Sequence, residues 1–485
     1  MRGRLLAAAI LLAASGCALD PQPAPCAAWT RADAAGACVA RAWTLPGEHD
    51  ALGDAWAQNV MVAVDGRGRG VVGFASTPGL EVLEETAPGS FALHASGGAV
   101  GGSVPSDLAA GLDGTVVFAW SVVAGSDQAL YLSERDALGA WKEPASEADA
   151  FSFPTTAYEP RLATNRAGEW ILAWNQWRST PHYGVAVAER ASADAPWIMP
   201  ESRDDVLSME IYFSNAPVIA LNDAGQAIIT WYQSLGGPLR AFVSERAGYD
   251  GGDPQPPGPA GPGAAFTRVT EADILSPDGA PVDSDPVAAV KPAIAADGSA
   301  AAAWAQENGQ GATLVYLATR DAAGIWTRPR DLTDAFSIEV GYARGVQLAF
   351  GPGGDLYVVW YQDAGAGDAV YAARRRPDGT WAEDGRRPMR LSSEGAAALF
   401  PKIAVGPDGG AVVVWQEHVG GGPMRVAARR CGPADAAWGP IEPLSPATGD
   451  DAVHPAVAVG PGDRAVAAWA QGPGTKQRVM IARVE

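Results

Sequence analysis

Short apolar runs broken by Gly- and Asp-rich turns recur along the chain, and none holds a 3.6-residue apolar period past the N-terminal Leu5–Ala14 stretch. In one copy, Ile403-Ala404-Val405 meets the turn Gly406-Pro407-Asp408-Gly409-Gly410 and resumes as Val412-Val413-Val414-Trp415, a hairpin pattern. The second run is apolar on both parities, as expected of a strand covered on both faces. A third strand follows, such as Leu314–Arg320 or Ala369–Arg374, and then a turn. A short fourth strand is opened by Trp141, Trp197, Trp326, Trp381 or Trp438.

The phrase repeats with its aromatic at Phe74, Trp120, Trp174, Trp231, Trp304, Trp360, Trp415 and Trp469, at spacings of 46, 54, 57, 73, 56, 55 and 54. The long spacing contains an insertion, residues 251–263, nearly all Gly, Pro and Ala, which reads as irregular loop. Four strands in about 55 residues, repeated in tandem, predict an all-β, eight-bladed β-propeller of four-stranded antiparallel blades. Seven blades is the fallback if the divergent first copy, around Phe74, is irregular. The last copy ends on its third strand, Val479–Val484, while Val39–Pro46 reads as an unattached fourth strand. The N-terminal strand is therefore expected to complete the C-terminal blade and close the ring, which removes open sheet edges. Strand direction puts the loops between second and third strands, and those entering each blade, on one face, the top.

Composition narrows the partners. Lys and Arg number 35 against 55 Asp and Glu, a formal charge of −20, and 47% of residues are hydrophobic. That describes a folded body unsuited to nucleic acid, whose phosphates need clustered Lys and Arg. At the N-terminus, Arg2 and Arg4 precede the short apolar run, which is too short to span a bilayer and has the layout of a secretory signal. Ala14-Ser15-Gly16-Cys17 resembles the bacterial lipobox. The resemblance implies cleavage after residue 16, lipidation of Cys17, a tether over 17–38 and a propeller over 39–485. It implies a lipid anchor in the cell envelope, at the outer membrane, with the body on its periplasmic or surface side. Cys26 and Cys38 are expected to pair as a disulfide in that oxidising compartment, leaving Cys431 as an idle thiol.

Most tryptophans lie in register and read as core. Trp56 and Trp177 fall in top-face loops and are candidates for a ligand. The Gln after many second strands (Gln176, Gln233, Gln306, Gln362, Gln471) reads as a tie to loop backbone. Turns such as Arg135-Asp-Ala-Leu-Gly-Ala-Trp141 and Arg320-Asp-Ala-Ala-Gly-Ile-Trp326 resemble the Asp-box of the sialidase superfamily, which sits at the same hairpin of its propeller blades. The leading Ser is not in place and the spacing differs, and the superfamily's Phe/Tyr-Arg-Ile-Pro motif is absent. The resemblance therefore extends to architecture and not to a catalytic site.

Candidate ligand-binding residues on the top face are Trp56, Glu159, Arg161, Trp177, His182, Tyr183, Glu210, Tyr212, Glu339, Tyr342, Arg344 and His454. Arg178 is a further candidate for a sialidase-type arginine triad. No zinc, EF-hand, phosphate-loop or dinucleotide motif occurs, so no metal or cofactor is expected. The expected role is a monomeric, non-enzymatic platform for a protein or carbohydrate ligand. The alternatives are a sialidase-like glycoside hydrolase using top-face carboxylates, and an envelope-assembly subunit by analogy with the eight-bladed lipoprotein of the outer-membrane barrel-assembly machine.

Overall fold

The computed structural model describes residues 29–32, 38–46, 58–76, 80–95, 103–124, 127–179, 182–209, 213–248, 266–284, 289–363, 365, 367–382, 388–435, 437–446, 449–474 and 476–484. Among these the chain is all strand and turn, with 3-10 turns at Glu147–Asp149, Glu271–Asp273 and Pro461–Asp463 and no α-helix. No helix among the described residues is long and apolar enough to cross a membrane. Cys17, Cys26, Trp56, Glu210, Tyr212 and the insertion 251–263 lie outside the described residues, as does the side chain of Cys38.

The strands form successive antiparallel meanders. Inner strands Gln58–Val64, Ser103–Ala110, Ala157–Thr164, Ser214–Leu221, Lys291–Ile294, Tyr342–Phe350, Ala397–Val405 and Ala452–Gly460 each pair with a second strand carrying the repeated aromatic. That strand pairs in turn with a third: Leu80–Ala87, Asp127–Arg135, Tyr183–Arg190, Leu239–Arg246, Thr313–Arg320, Asp368–Arg375, Met424–Cys431 or Arg478–Val484. The first unit around Phe74 is regular, with a fourth strand at Ser90–Ala95. Other fourth strands are brief, as at Trp141–Lys142, Trp326–Thr327 and Glu442–Pro443. A proline at or soon after each (Pro144, Pro329, Pro443) offers no N–H to continue the ladder.

The core lies between neighbouring units. Phe74 and the seven second-strand tryptophans are fully buried. Val117 and Ala119 of the second unit pack with Leu162, Leu172 and Trp174 of the third. Val60, Val72 and Phe74 of the first pack with Ala468, Ala470 and Val479 of the last. Each inner strand neighbours the next, and Ala452–Gly460 neighbours Gln58–Val64. The glutamines act as ties: Gln362 accepts from the Trp360 indole N–H at 3.0 Å and donates to the Ile338 and Val340 carbonyls at 2.7 and 2.6 Å.

A ladder of charge crosses the inter-unit contacts. Arg135 pairs with Glu84 of the preceding unit at 2.7 Å, Arg190 with Glu134 at 2.8 Å, Arg246 with Glu189 at 3.0 Å and Arg320 with Glu245 at 3.1 Å. The Trp that opens the fourth strand donates its indole N–H to the same carboxylate at Glu84, Glu134 and Glu245. The Asp-box-like turn is held as the sequence suggests, with the Asp136 carboxylate accepting from the N–H groups of Leu138 and Ala140 at 2.9 and 2.8 Å. Gly139, at φ 97°, supplies the left-handed residue of that turn.

The N-terminal segment departs from expectation in part. Trp43-Thr44 pairs antiparallel with Arg483-Val484 at the edge of the last meander. The strand expected over 39–46 is not continuous, because Cys38–Ala40 pairs with Thr30–Ala32 instead. The cause is Trp29, which is buried with Val412, Val414 and Trp469. Its indole N–H donates to the Cys431 carbonyl at 3.3 Å, and Arg430 sits 5.4 Å over its ring. Part of the segment expected as tether thus belongs to the packed body. The Cys431 thiol is free and buried, and burial pushes its pKa up to about 11.

Candidate functional site

The residues that carry chemistry share one register position. Thirteen residues before the buried aromatic, the successive inner strands place Met61, Asp107, Arg161, Val218, Lys291, Gln347, Lys402 and Ala456. Each pairs with the residue just before the aromatic, as Arg161 does with Ala173, Lys291 with Ala303 and Lys402 with Val414. Two residues further on, every copy has alanine: Ala63, Ala109, Ala163, Ala220, Ala293, Ala349, Ala404 and Ala458. A methyl at that level lets neighbouring inner strands approach closely.

Most inner strands arrive at this position through a bulge, as between Tyr158 and Arg161, Asn215 and Val218, or Leu399 and Lys402. The bulged residues Asn59, Glu159, Ala216, Phe400 and His454 have φ of 49°, 53°, 56°, 53° and 55°, a region that side chains other than glycine seldom enter. Bulges re-aim side chains, and backbone held in such a region gathers at functional sites.

Bulges precede Asp107, Arg161 and Lys402 as well as Met61, Val218, Gln347 and Ala456, while Lys291 opens its strand. Asp107, Arg161, Lys291 and Lys402 come from the second, third, fifth and seventh units, yet they act on one another electrostatically. Their side chains therefore gather beside the neighbouring inner strands. Burial there, with repulsion from Lys402 and Arg161, lowers the Lys291 pKa from 10.5 to about 7, while Asp107 and Glu159 pull the other way. Lys402 is lowered by burial and by Arg161. It keeps solvent contact, so the cluster is open to water although protein surrounds it. Asp107 is fixed by the N–H groups of Leu108 (2.9 Å) and Leu162 of the next unit (2.8 Å), but burial outweighs these contacts and raises its pKa. Glu159 accepts from the Asn175 amide at 2.9 Å, and that amide also bonds Asn215. Three cations thus face two carboxylates.

Aromatic rings flank this collar on two sides. Tyr183 packs edge-on against Tyr158 (5.0 Å between centroids), Trp177 (4.8 Å) and Phe213 (5.9 Å). On the other side, Phe400 contacts Tyr361 at 5.6 Å and His454 at 6.1 Å. Burial and Lys402 lower the His454 pKa. Burial, with the charge of Asp127, raises that of Tyr183.

The structure thus brings together Glu159 and Arg161 in the collar, Trp177 and Tyr183 in one aromatic group, and His454 beside Phe400 and Lys402. His182 lies in a tight turn, its carbonyl accepting from the Arg178 N–H at 3.2 Å. Glu339, Tyr342 and Arg344 are exposed on the sixth unit, where Arg344 acts on Asp368. The arginine triad does not assemble, since Arg178 is buried 3.7 Å from Asp204. Among the described residues no group of His, Cys, Asp or Glu is arranged to hold a metal ion.

Sequence reading missed Lys291 and Lys402, although the thirteen-residue offset that contains Asp107 and Arg161 also picks them out.

No protein-family model and no curated protein sequence matches the chain. Among solved structures it is similar to a protein of unknown function from Dyadobacter fermentans, with 12% identity, 89% of this chain and 95% of that one covered and a TM-score of 0.40. It is similar to the polysaccharide lyase Uly1, with 10% identity, 76% and 87% covered and a TM-score of 0.46. It is also similar to the microbial sialidase Hz136, with 13% identity, 74% of each chain covered and a TM-score of 0.35. At these levels no activity carries across from any of them.

Proposed function

We propose that this chain is an eight-bladed propeller, closed by Trp43-Thr44, that binds an acidic glycan at the central collar. The observation that carries the reading is the gathering of three cations, Arg161, Lys291 and Lys402, around two carboxylates, Asp107 and Glu159. Like charges held together in the free protein are relieved by an anionic ligand. The aromatic groups around Tyr183 and Phe400 offer faces for sugar rings on either side of that charge. Lipid anchoring at Cys17 in the bacterial envelope completes the proposal, and the mass of the mature N-terminus recovered from membranes tests it.

The binding test compares oligosaccharides of equal length bearing carboxylate, sulfate or no charge. Charged ligands should bind, neutral ones should not, and Lys402→Ala should weaken binding by about tenfold or more without loss of thermal stability. Equal binding of neutral and acidic sugars would sink the reading.

Glycoside hydrolysis is the second reading, favoured by one observation. Asp107, raised by burial toward the protonated form, and Glu159 act on the same lysine. New reducing ends released from an acidic glycan, and lost in Asp107→Asn, would establish it. Binding without product would leave the protein a receptor.

A further inference from the structure

The charge ladder joins the first five units and stops before the sixth; at the glutamate's register the sixth, seventh and eighth units carry Arg374, Arg430 and Arg483. In the first four units the next-to-last residue of the Arg-bearing register is an acid (Glu84, Glu134, Glu189, Glu245), and each receives an arginine from the following unit. In the fifth unit that position is Thr319, which pairs with Ala301 as Glu245 pairs with Ile228. The sixth unit still presents both donors. Arg375 occupies the register of Arg320, and Trp381 bridges to it as Trp326 does to Arg320. Among the described residues, neither the Arg375 guanidinium nor the Trp381 indole N–H has a carboxylate within bonding distance.

The same interface holds a cleft of about 420 Å³, lined by Asp297, Thr319, Arg320, Asp321, Arg375 and Arg376, with Arg375 also acting on Asp378 of its own turn. Arg320 is committed elsewhere, to Glu245 and the Gly298 carbonyl. Arg375 is half-buried at the cleft wall. A guanidinium there offers a planar fork matched to an oxyanion.

We propose that the cleft between the fifth and sixth units is a second ligand site, binding a small oxyanion where the four preceding interfaces carry glutamate. The shared chemistry is a tetrahedral or planar oxyanion, inorganic phosphate or a small carboxylate such as acetate. The site is separate from the collar and does not rest on it.

The test titrates the full chain with phosphate and with acetate while following thermal stability and calorimetric heat, with chloride as the ionic-strength control. Phosphate or acetate should saturate a single site. Arg375→Met should abolish that saturation, and Lys402→Ala should leave it unchanged. Thr319→Glu restores the missing acid. It should abolish oxyanion binding while raising stability in the absence of ligand, a result that misfolding does not mimic. Binding that survives both substitutions, or that chloride reproduces, overturns the proposal. Glu383 and Asp384 lie outside the described residues. If oxyanion binding emerges only in the Glu383→Gln/Asp384→Asn variant, the chain's own acids fill the place and the proposal fails.

Discussion

The third-strand ladder and the central collar treat charge in opposite ways. On the ladder each arginine from the second unit to the fifth meets a glutamate from its neighbour, and Arg246, with Glu169 at 2.5 Å and Glu189 at 3.0 Å, is almost wholly buried. In the collar, Arg161, Lys291 and Lys402 repel one another, and Asp107 spends its hydrogen bonds on backbone N–H groups. A matched pair locks two sheets in register. A cluster with more cations than carboxylates lowers stability, and on the proposal made above an anionic ligand relieves it. On that proposal, balanced charge serves the fold and charge in excess serves a ligand.

The largest effect should come from breaking the balanced set. Arg246→Ala strands two carboxylates, one of them buried, and should cost about 3 kcal/mol or more by chemical denaturation. A loss below 1 kcal/mol would mean that the ladder does not hold neighbouring units together. Next, Gln362→Ala removes a tie that satisfies Trp360 and two loop carbonyls, and should cost about 2 kcal/mol. Oligosaccharide affinity should stay unchanged, which separates a structural amide from a ligand contact.

The smallest effect should have the opposite sign. Lys291 titrates near 7 in the folded chain against 10.5 when free. Between those values the unfolded chain holds a proton that the folded chain has released, so this group makes stability rise with pH. Its penalty is full below pH 7 and fades as pH approaches 10.5. Lys291→Gln should therefore raise Tm by about one to three degrees at pH 6 and change it little near pH 10. A lowered Tm at pH 6 would make Lys291 part of the balanced set instead.

Much of the meander was legible in the sequence because its period is set by buried aromatics such as Trp304 and Trp415, which cannot move without opening the core. The Gln ties were legible for the same reason. The N-terminal strand was legible only at Trp43-Thr44. The preceding residues follow Trp29, whose burial against a distant unit leaves no local pattern. The candidate site was half legible. Arg161 stood out as a top-face candidate, but Asp107, and a lone Lys291 or Lys402 beside a proline, look like any surface charge until the copies are aligned. Trp177, expected in a loop, instead ends the strand Trp170–Trp177, where pairing with Tyr183 sets it in the aromatic group.

Proton exchange on ligand binding tests the collar most directly. Calorimetric titration of an acidic oligosaccharide at pH 7.5, in two buffers of different ionisation enthalpy, reports protons taken up on association. An anion seated against Lys291 raises its pKa, so the account predicts net uptake of up to about one proton in the unmodified chain and none in Lys291→Gln. Binding with no uptake, or with uptake that persists in the variant, would contradict it.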